Sequence, residues 1–208
     1  MIIWNRLKYV LSPQFDIYKT VAKIVRGRIA DIGFGTGFGS HLLATNGADV
    51  YGFEVDETAI RFAQEVFTSD KLHFTYGDIV TRRGMDGLNN IFDWVVMIDV
   101  IEHIEDDRQA VMNVRKCLKE KGLFVCSTPN RLSRYRKSSE HIREYSPEEL
   151  RGLLKQVFAT VELRNYKLEP IGSQYENPLL AVCGGEVKRG EKVKTEANNI
   201  IMGDRTDG

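Results

Sequence analysis

The 208-residue chain has no excess of charge of either sign, since 29 lysines and arginines balance 29 aspartates and glutamates. This balance excludes a global cationic field of the kind that draws proteins onto phosphate backbones, so a nucleic-acid role would need a local basic patch. Cysteine is also scarce. Cys117, Cys126 and Cys183 lie in apolar stretches without CxxC spacing, which predicts reduced core thiols in a cytoplasmic protein.

Long apolar runs are missing too. The first 25 residues carry basic and polar side chains throughout. They show neither the apolar core of a signal peptide nor the run of about 20 apolar residues that a spanning helix needs. We therefore expect a soluble, cytoplasmic protein with no transmembrane segment. Ile3, Leu7 and Val10 repeat at helical spacing, which predicts an amphipathic helix that ends near Ser12 and Pro13 and packs on the domain or covers a site.

The two ends of the chain differ in composition from its middle. After about residue 186 the sequence is polar, contains glycine and is nearly free of aromatic residues, which predicts a loosely ordered tail. A chain of this length is expected to form one main domain. The predicted organisation is an N-terminal helix or lid over 1–20, a single domain over 21–185 and a polar tail over 186–208.

Between the two ends, short apolar runs alternate with amphipathic stretches. Runs such as "RIADIG", "DVYGFEV" and "FDWVVMID" are typical of strands, and "ETAIRFAQEVF" and "SPEELRGLLKQVF" are typical of helices. The alternation predicts an α/β fold with a Rossmann-like, doubly wound, mostly parallel sheet and helices on both faces. Ser146 and Glu149 predict a capping box, and Gly122 predicts the end of the preceding helix.

A glycine-rich loop follows the first predicted strand, which ends at Asp31. In "GFGTGFG", Gly33, Gly35, Gly37 and Gly39 alternate with other residues. Glycine permits positive φ and lets backbone amides approach a ligand closely. A dinucleotide loop would receive a pyrophosphate, but a carboxylate two residues before the first glycine is better placed beside a positively charged ligand.

Two more acidic residues stand at the ends of the next predicted strands. Glu54, with Asp56 two residues beyond, occupies the position where doubly wound nucleotide-binding folds hold ribose hydroxyls. Asp78 could accept a hydrogen bond from the exocyclic amine of an adenine. Three acidic strand ends around a glycine loop predict a pocket for an adenosine with a cationic tail. S-adenosylmethionine fits that description better than NAD does.

Five motifs together resemble class I S-adenosylmethionine-dependent methyltransferases over about residues 20–185: "DIGFGTG", "GFEVD", the "GD" at Asp78, "FDWVVMIDVIEHI" and "KGLFVCSTPN". The resemblance implies an enzyme with a seven-stranded sheet whose last strand is antiparallel, using S-adenosylmethionine and releasing S-adenosylhomocysteine. It also implies that Asp31 and the glycine loop hold the methionine portion, Glu54 the ribose, and Asp78 with Ile79 the adenine. The cofactor-binding residues implied are Asp31, Gly33, Phe34, Gly35, Gly37, Glu54, Val55, Asp78, Ile79 and Asp99.

The segment after the fourth predicted strand carries candidate groups for the acceptor. In "IDVIEHI", Asp99, Glu102 and His103 stand at i, i+3 and i+4, so they would share one face of a helical turn and form the predicted catalytic group. His103 is a candidate general base, because an imidazole with a pKa near 6.5 suits proton transfer at neutral pH. Alternatively, the three residues begin a metal site completed by His141, which would suit Mg²⁺ or Mn²⁺ and leaves Zn²⁺ or Fe²⁺ open.

Two narrower likenesses lead to different acceptors. "EHI", "TPN" and a histidine before "REYSPEEL" resemble the ubiquinone-biosynthesis O-methyltransferases and small methyltransferases of sugar and natural-product pathways. That likeness implies O-methylation of a small hydroxylated metabolite. The same spacing resembles small-RNA 3′-terminal 2′-O-methyltransferases, whose four corresponding residues hold a divalent cation, although Asp99 replaces a glutamate and "IREYS" follows His141. A noncatalytic S-adenosylmethionine-binding regulator is the alternative of another class.

The acceptor side also carries a basic run, "NRLSRYRKSSEHIR". It is either a solvated loop or a clamp for an anionic acceptor such as a phosphate or carboxylate.

Overall fold

The computed structural model describes residues 13–134 and 138–187. The helix expected around Ile3, Leu7 and Val10, and the tail beyond residue 187, lie outside the described residues. The helices are α1 (Pro13–Val21), α2 (Phe38–Ala44), α3 (Glu57–Val66), α4 (Asp107–Cys117) and α5 (Pro147–Leu154), and a 3₁₀ turn covers Ile101–His103. The strands are β1 (Arg28–Ile32), β2 (Asp49–Glu54), β3 (Leu72–Tyr76), β4 (Phe92–Ile98), β5 (Leu118–Thr128), β6 (Thr160–Arg164) and β7 (Leu179–Gly184).

The strands form one seven-stranded sheet in the order β3-β2-β1-β4-β5-β7-β6. The first five strands of that order pair in parallel, and β7 runs antiparallel to both β5 and β6. The predicted fold class, including its seven strands and antiparallel last strand, is confirmed. The strand order reverses between β1 and β4, so a crevice is expected at the carboxyl ends of these two strands.

Each face of the sheet is covered by its own apolar core. In β4, Val95 and Met97 face a core with α4 and α5, while Val96 and Ile98 face a core with α1, α2 and α3. This alternation of inward-facing residues follows from the two-residue period of a strand. The buried polar residues of the sheet include Asp31, Ser127 and Thr128, which stand towards the carboxyl ends of β1 and β5.

The ends of the helices test two sequence predictions. The Ser146 side chain accepts from the Glu149 amide while the Glu149 side chain accepts from the Ser146 amide, which confirms the capping box. The helix end predicted at Gly122 is wrong, because α4 ends at Cys117 and Gly122 lies inside β5. The amides of Asn90 and Ile91 donate to carbonyls of the last helical turn, so that turn is satisfied without a glycine.

Helix α1 was not predicted from the sequence. It begins at Pro13, where the expected N-terminal helix should have ended, and it buries Ile17, Tyr18 and Val21 in the core. Proline at a first helical position is favoured because its missing N–H would be unpaired there anyway. The helix crosses the predicted boundary between residues 20 and 21. Within the described ranges, none of the helices has the length and apolar character required to cross a bilayer.

Candidate active site

A cavity of about 690 Å³ opens at the carboxyl ends of the first four strands. Seven predicted site residues line it: Gly33, Glu54, Val55, Asp78, Ile79, Asp99 and His103. Gly33 has a φ of +68°, and a Cβ atom there would lie 2.6 Å from Val100 Cγ2. Both facts require glycine at the point where the loop turns under the cavity.

The carboxylate of Asp31 lies fully buried beneath the glycine loop. It accepts hydrogen bonds from Tyr18 Oη at 3.0 Å and from Ser40 Oγ at 2.6 Å. Burial raises its pKa to about 7, and the nearby charge of Glu54 acts in the same direction. Across residues 13–134 and 138–187, no lysine, arginine or histidine forms an ion pair with it. When ionised, Asp31 is therefore a buried carboxylate without a counter-charge, which a cationic ligand would supply.

Glu54 braces the glycine loop with its side chain. Its Oε2 accepts from the Gly35 amide at 2.9 Å, and its Oε1 accepts from the amides of Val55 and Asp56 at 2.7 and 3.2 Å. A carboxylate has about four acceptor positions, so one remains on the oxygen that faces Gly35. The predicted ribose contact is thus available to Glu54 while the carboxylate keeps its hydrogen bonds to the loop.

We expect Glu54→Ala to raise the dissociation constant of S-adenosylmethionine by about tenfold, because one charge-assisted hydrogen bond and the support of the loop are lost together. Calorimetric titration measures this constant directly. Glu57→Ala is the matched control, since Glu57 is an exposed carboxylate of α3 that pairs with Arg61. An unchanged constant in Glu54→Ala would remove Glu54 from the ribose role.

Asp78 and Ile79 also line the cavity. Asp78 Oδ1 accepts from the Val80 amide at 2.8 Å and Oδ2 from Thr81 Oγ1 at 2.7 Å. Partial burial opposes ionisation of Asp78, but these hydrogen bonds outweigh it and lower its pKa. Asp78 therefore stays ionised and can still accept from an amine, while the buried Ile79 presents an apolar surface.

The glycine loop contributes less side-chain surface than the sequence suggested. Phe34 is buried and stacks at a tilt against Phe74 with ring centroids 4.8 Å apart. Asp31, Phe34, Gly35 and Gly37 are not among the residues that line the cavity. The prediction of Phe34 as a cofactor contact can thus hold only for its backbone, because its side chain anchors the loop in the core.

The turn after β4 differs from the helical turn that was predicted. Asp99 has a φ of +53° and precedes a single 3₁₀ turn, so the expected i, i+3, i+4 face does not form. Asp99 Oδ1 instead accepts from Ser127 Oγ at 2.6 Å. Glu102 is fully buried, and its Oε2 accepts from Thr128 Oγ1 at 3.0 Å.

Glu102, His103 and His141 nevertheless come together. One potential ligand atom from each lies within 4.8 Å of the other two. Asp99, predicted as one of the four ligands, is not in this group within the described part of the chain. Glu102 Oε1 is buried and has no hydrogen-bond partner, and burial together with the charge of Asp99 raises the pKa of Glu102 to about 8. The cluster thus contains a buried carboxylate oxygen without a donor.

Hydrogen bonds fix the tautomer of both histidines. His103 Nδ1 lies 3.0 Å from the carbonyl oxygen of Glu140, and a carbonyl can only accept, so Nδ1 carries the proton. His141 Nδ1 lies 3.0 Å from Glu144 Oε1 and donates to it in the same way. In the neutral form of each imidazole, the lone pair is then on Nε2. Ligand histidines at metal sites are typically oriented in this way by a carbonyl or a carboxylate.

The loop after β5 carries His141 to the 3₁₀ turn. The amides of Ile142 and Arg143 both donate to the Glu102 carbonyl, at 2.9 and 3.1 Å. Ile142 is 62% exposed and lines the cavity beside His103. The cluster and the cavity are therefore two parts of one site.

The family described as "Methyltransferase domain" matches residues 7–162 of this chain. The chain belongs to this methyltransferase family. With its sheet order and strand-end residues, it is a class I S-adenosylmethionine-dependent methyltransferase, as the motifs predicted.

Three known proteins illustrate the relationship. The ubiquinone biosynthesis O-methyltransferase of Ruegeria sp. (strain TM1040) is 34% identical over 130 residues, which are 61% of this chain and 52% of that protein. The TehB-like SAM-dependent methyltransferase from Corynebacterium glutamicum superposes with a TM-score of 0.66 at 22% identity, covering 88% of this chain and 94% of that one. The CurJ carbon methyltransferase gives 0.70 at 16% identity, covering 90% and 59%. The chain thus spans about half the length of the curated relatives it matches, and the two structures establish the fold alone.

The methyltransferase residues fit S-adenosylmethionine. The uncompensated carboxylate of Asp31 suits a cationic methionine portion, and the glycine at position 33 leaves room for close backbone approach. A dinucleotide would instead bring an anionic pyrophosphate towards that buried carboxylate.

Several residues of the methyltransferase site were missed in the sequence. Ser127 and Thr128 orient Asp99 and Glu102, and Glu144 orients His141. The "STPN" motif contained the first two, but a hydroxyl at a strand end has no distinctive spacing. Glu144 stands three residues after His141, and that spacing was the available signal.

The basic run on the acceptor side is partly neutralised. Arg131 pairs with Glu149 at 3.0 Å, and Arg143 pairs with Asp107 at 2.9 Å. Residues 135–137 of the run lie outside the described residues. The two described pairs favour a structural loop over an anion clamp at Arg131 and Arg143.

Proposed function

We propose that this methyltransferase O-methylates a small hydroxylated acceptor, whose oxygen is held by a divalent cation bound to Glu102, His103 and His141. The observation that carries the proposal is the convergence of these residues within 4.8 Å around a buried carboxylate oxygen that has no hydrogen-bond partner. A cation would supply the missing counter-charge, and a buried carboxylate is favourable only when such a partner is present.

The composition of the cluster favours some cations over others. Two imidazoles and one carboxylate, without Asp99, make a site that is less rich in oxygen than the sequence predicted. Such a set suits Mn²⁺, Zn²⁺ or Fe²⁺ better than Mg²⁺, which prefers oxygen ligands. We therefore expect Mn²⁺ to bind more tightly than Mg²⁺.

The chemistry needs few groups. When bound, S-adenosylmethionine supplies an electrophilic methyl group, whose bond to sulfur breaks with its electron pair kept by the sulfur. The cation in the Glu102–His103–His141 cluster would lower the pKa of the acceptor hydroxyl. The acceptor oxygen then forms the new bond to carbon and its proton passes to solvent. The proposal assigns Asp31 to the methionine side and the Glu102–His103–His141 cluster to the acceptor side, so that the chain's own residues hold the two reacting partners.

The relatives support oxygen as the acceptor atom. The one from Ruegeria carries the name of an O-methyltransferase, and hydroxylated aromatic compounds are suitable ligands for an exposed cation. The Glu102–His103–His141 cluster is also the feature that the likeness to small-RNA methyltransferases implies, but Arg131 and Arg143 are already paired with carboxylates, so these two arginines offer no free charge to an RNA backbone. A noncatalytic regulator would have no need of the oriented histidine pair.

Calorimetric titration of Mn²⁺ into EDTA-treated protein tests the proposal. We expect one binding site, whose affinity falls at least about tenfold in Glu102→Gln, since this change removes the charge and keeps the shape. Glu105→Gln is the matched control, because Glu105 also lines the cavity but is exposed. No Mn²⁺ binding by the wild type, or equal affinity in Glu102→Gln, would contradict the cation site.

Turnover then tests the acceptor. A panel of a catechol, a monohydroxylated phenol and an RNA oligonucleotide with a free 3′ end is incubated with S-adenosylmethionine, with EDTA or with Mn²⁺. We expect the catechol to be methylated and EDTA to abolish that activity, because two adjacent oxygens can chelate one cation. Methylation of the RNA alone would overturn the small-molecule acceptor. Methylation unaffected by EDTA would overturn the cation and leave His103 as the candidate base.

A further inference from the structure

Helix α1 reaches the cofactor side of the site through two polar side chains. Tyr18 Oη donates to Asp31 Oδ1 at 3.0 Å, and the Gln14 side chain hydrogen-bonds Asp99. The two residues are one helical turn apart, so they share a face. That face meets the carboxyl ends of β1 and β4, the adjacent strands between which the order of the sheet reverses.

The Tyr18 ring is held so closely that its hydroxyl has little freedom. The residue is 3% exposed, and its ring packs edge-on against Phe38 with centroids 5.6 Å apart. A Cβ atom on Gly39 would lie 2.3 Å from the Tyr18 ring. The glycine loop and α1 are thus fitted to each other at the point where the hydroxyl meets Asp31.

The groups facing Asp31 explain what this hydrogen bond does. The groups that act on Asp31 are Tyr18 on α1, Ser40 on α2 and Glu54 at the end of β2. The charge of Asp99, which follows β4, acts on the Tyr18 hydroxyl. The hydroxyls of Ser40 and Tyr18 stabilise the ionised carboxylate, whereas burial and Glu54 oppose it. None of these groups is a cation that would stabilise the ionised Asp31 carboxylate. A tyrosine that donates to a buried carboxylate favours its charged form.

We propose that Tyr18 is a positioning residue for S-adenosylmethionine, which keeps the Asp31 carboxylate ionised and correctly oriented for the cationic methionine portion. Tyr18 itself does not line the cavity. It acts through its hydrogen bond to Asp31, so α1 contributes to cofactor binding without contacting the cofactor. The consequence is a cofactor affinity whose dependence on pH is set in part by a residue of α1.

Tyr18→Phe tests the proposal, because it removes only the hydroxyl and keeps the ring that packs against Gly39. The dissociation constant of S-adenosylmethionine is measured by calorimetry from pH 6 to pH 9 for the wild type and for the variant. The ratio of the variant constant to the wild-type constant is taken at each pH. Titration of the cofactor itself affects both constants equally and cancels in this ratio. If loss of the hydrogen bond raises the pKa of Asp31 by about one unit, the variant binds about ninefold more weakly at pH 6, about fivefold at pH 7 and equally at pH 9.

The matched control is Tyr145→Phe. Tyr145 is also buried and also donates to a carboxylate, Asp107 Oδ2, at 2.8 Å, so its loss should leave the affinity ratio at one across the pH range. A Tyr18→Phe ratio that is greater than one but constant with pH would mean that the hydroxyl only supports the fold and would overturn the proposal. A ratio of one throughout would overturn it as well.

Discussion

His103→Ala should lower the turnover number by about 10²- to 10⁴-fold, while the dissociation constant of S-adenosylmethionine stays within about threefold of the wild-type value. The reason is the position of the residue. Its imidazole belongs to the Glu102–His103–His141 cluster on the proposed acceptor side, and the carboxylates of Asp31 and Glu54 lie at the other strand ends. Steady-state rates with a catechol acceptor, combined with calorimetry for the cofactor, separate the two quantities.

Two comparisons make this prediction specific. His73→Ala is the matched control, because His73 pairs with Asp49 at 3.1 Å away from the cavity and should change neither quantity. A parallel titration with Mn²⁺ distinguishes the two roles considered for His103. Loss of metal affinity identifies a ligand, and retained metal affinity with lost turnover identifies a base. If cofactor binding and turnover fell equally, His103 would be a structural residue and the acceptor role would be wrong.

The grouping of Asp31, Glu54 and Asp78 at one edge of the sheet could be predicted because its signals are local. Asp31, Glu54 and Asp78 each stand at the end of an apolar run, and parallel strands bring their carboxyl ends to one edge of the sheet. The glycine loop follows the first strand directly, so its place needed no knowledge of distant contacts. What escaped prediction was the direction of side chains, as in Phe34, which turns into the core.

The acceptor half depends on contacts between distant segments. Glu102 and His141 meet because the amides of Ile142 and Arg143 donate to the Glu102 carbonyl, and such pairing leaves no periodic pattern in one sequence. The i, i+3, i+4 rule also assumes α-helical geometry. The positive φ of Asp99 and the tighter 3₁₀ turn after it break that assumption.

Helix α1 shows a third limit of sequence reading. Tyr18 looked like any aromatic residue of an amphipathic stretch, because its partner Asp31 lies on a strand after an intervening loop. Its role required the close approach of the ring to Gly39, which only the packed structure reveals. Polar contacts of helix faces with strand ends are tertiary facts, whereas apolar periodicity is a local one.

Asp31→Asn should make the protein more stable at pH 8 and at the same time weaken binding of S-adenosylmethionine by about 100-fold, because a buried charge without a counter-charge opposes folding and attracts the cationic ligand. Burial raises the pKa of Asp31 from 3.8 to about 7. The folded state therefore holds the proton more tightly than the unfolded state. The stability associated with that proton is fully present below pH 4 and is lost as pH rises through about 7.

The size of the effect follows from that difference in pKa. Between pH 5 and pH 8 the Asp31 carboxyl should lower the free energy of unfolding by about 3 kcal/mol, and the Asn variant should lack this decrease. Urea unfolding of both proteins at the two pH values measures this change in the free energy of unfolding. The contribution of Glu102 is common to both proteins and cancels in the difference between them.

Asp93→Asn is a control in which the loss of the carboxylate should lower stability. Although partial burial opposes ionisation of Asp93, its hydrogen bond from Lys119 prevails and lowers its pKa. That variant should lose stability at both pH values. Equal pH dependence in wild type and Asp31→Asn would show that Asp31 carries no uncompensated charge, and a buried carboxylate could then not be the feature that selects a cationic cofactor.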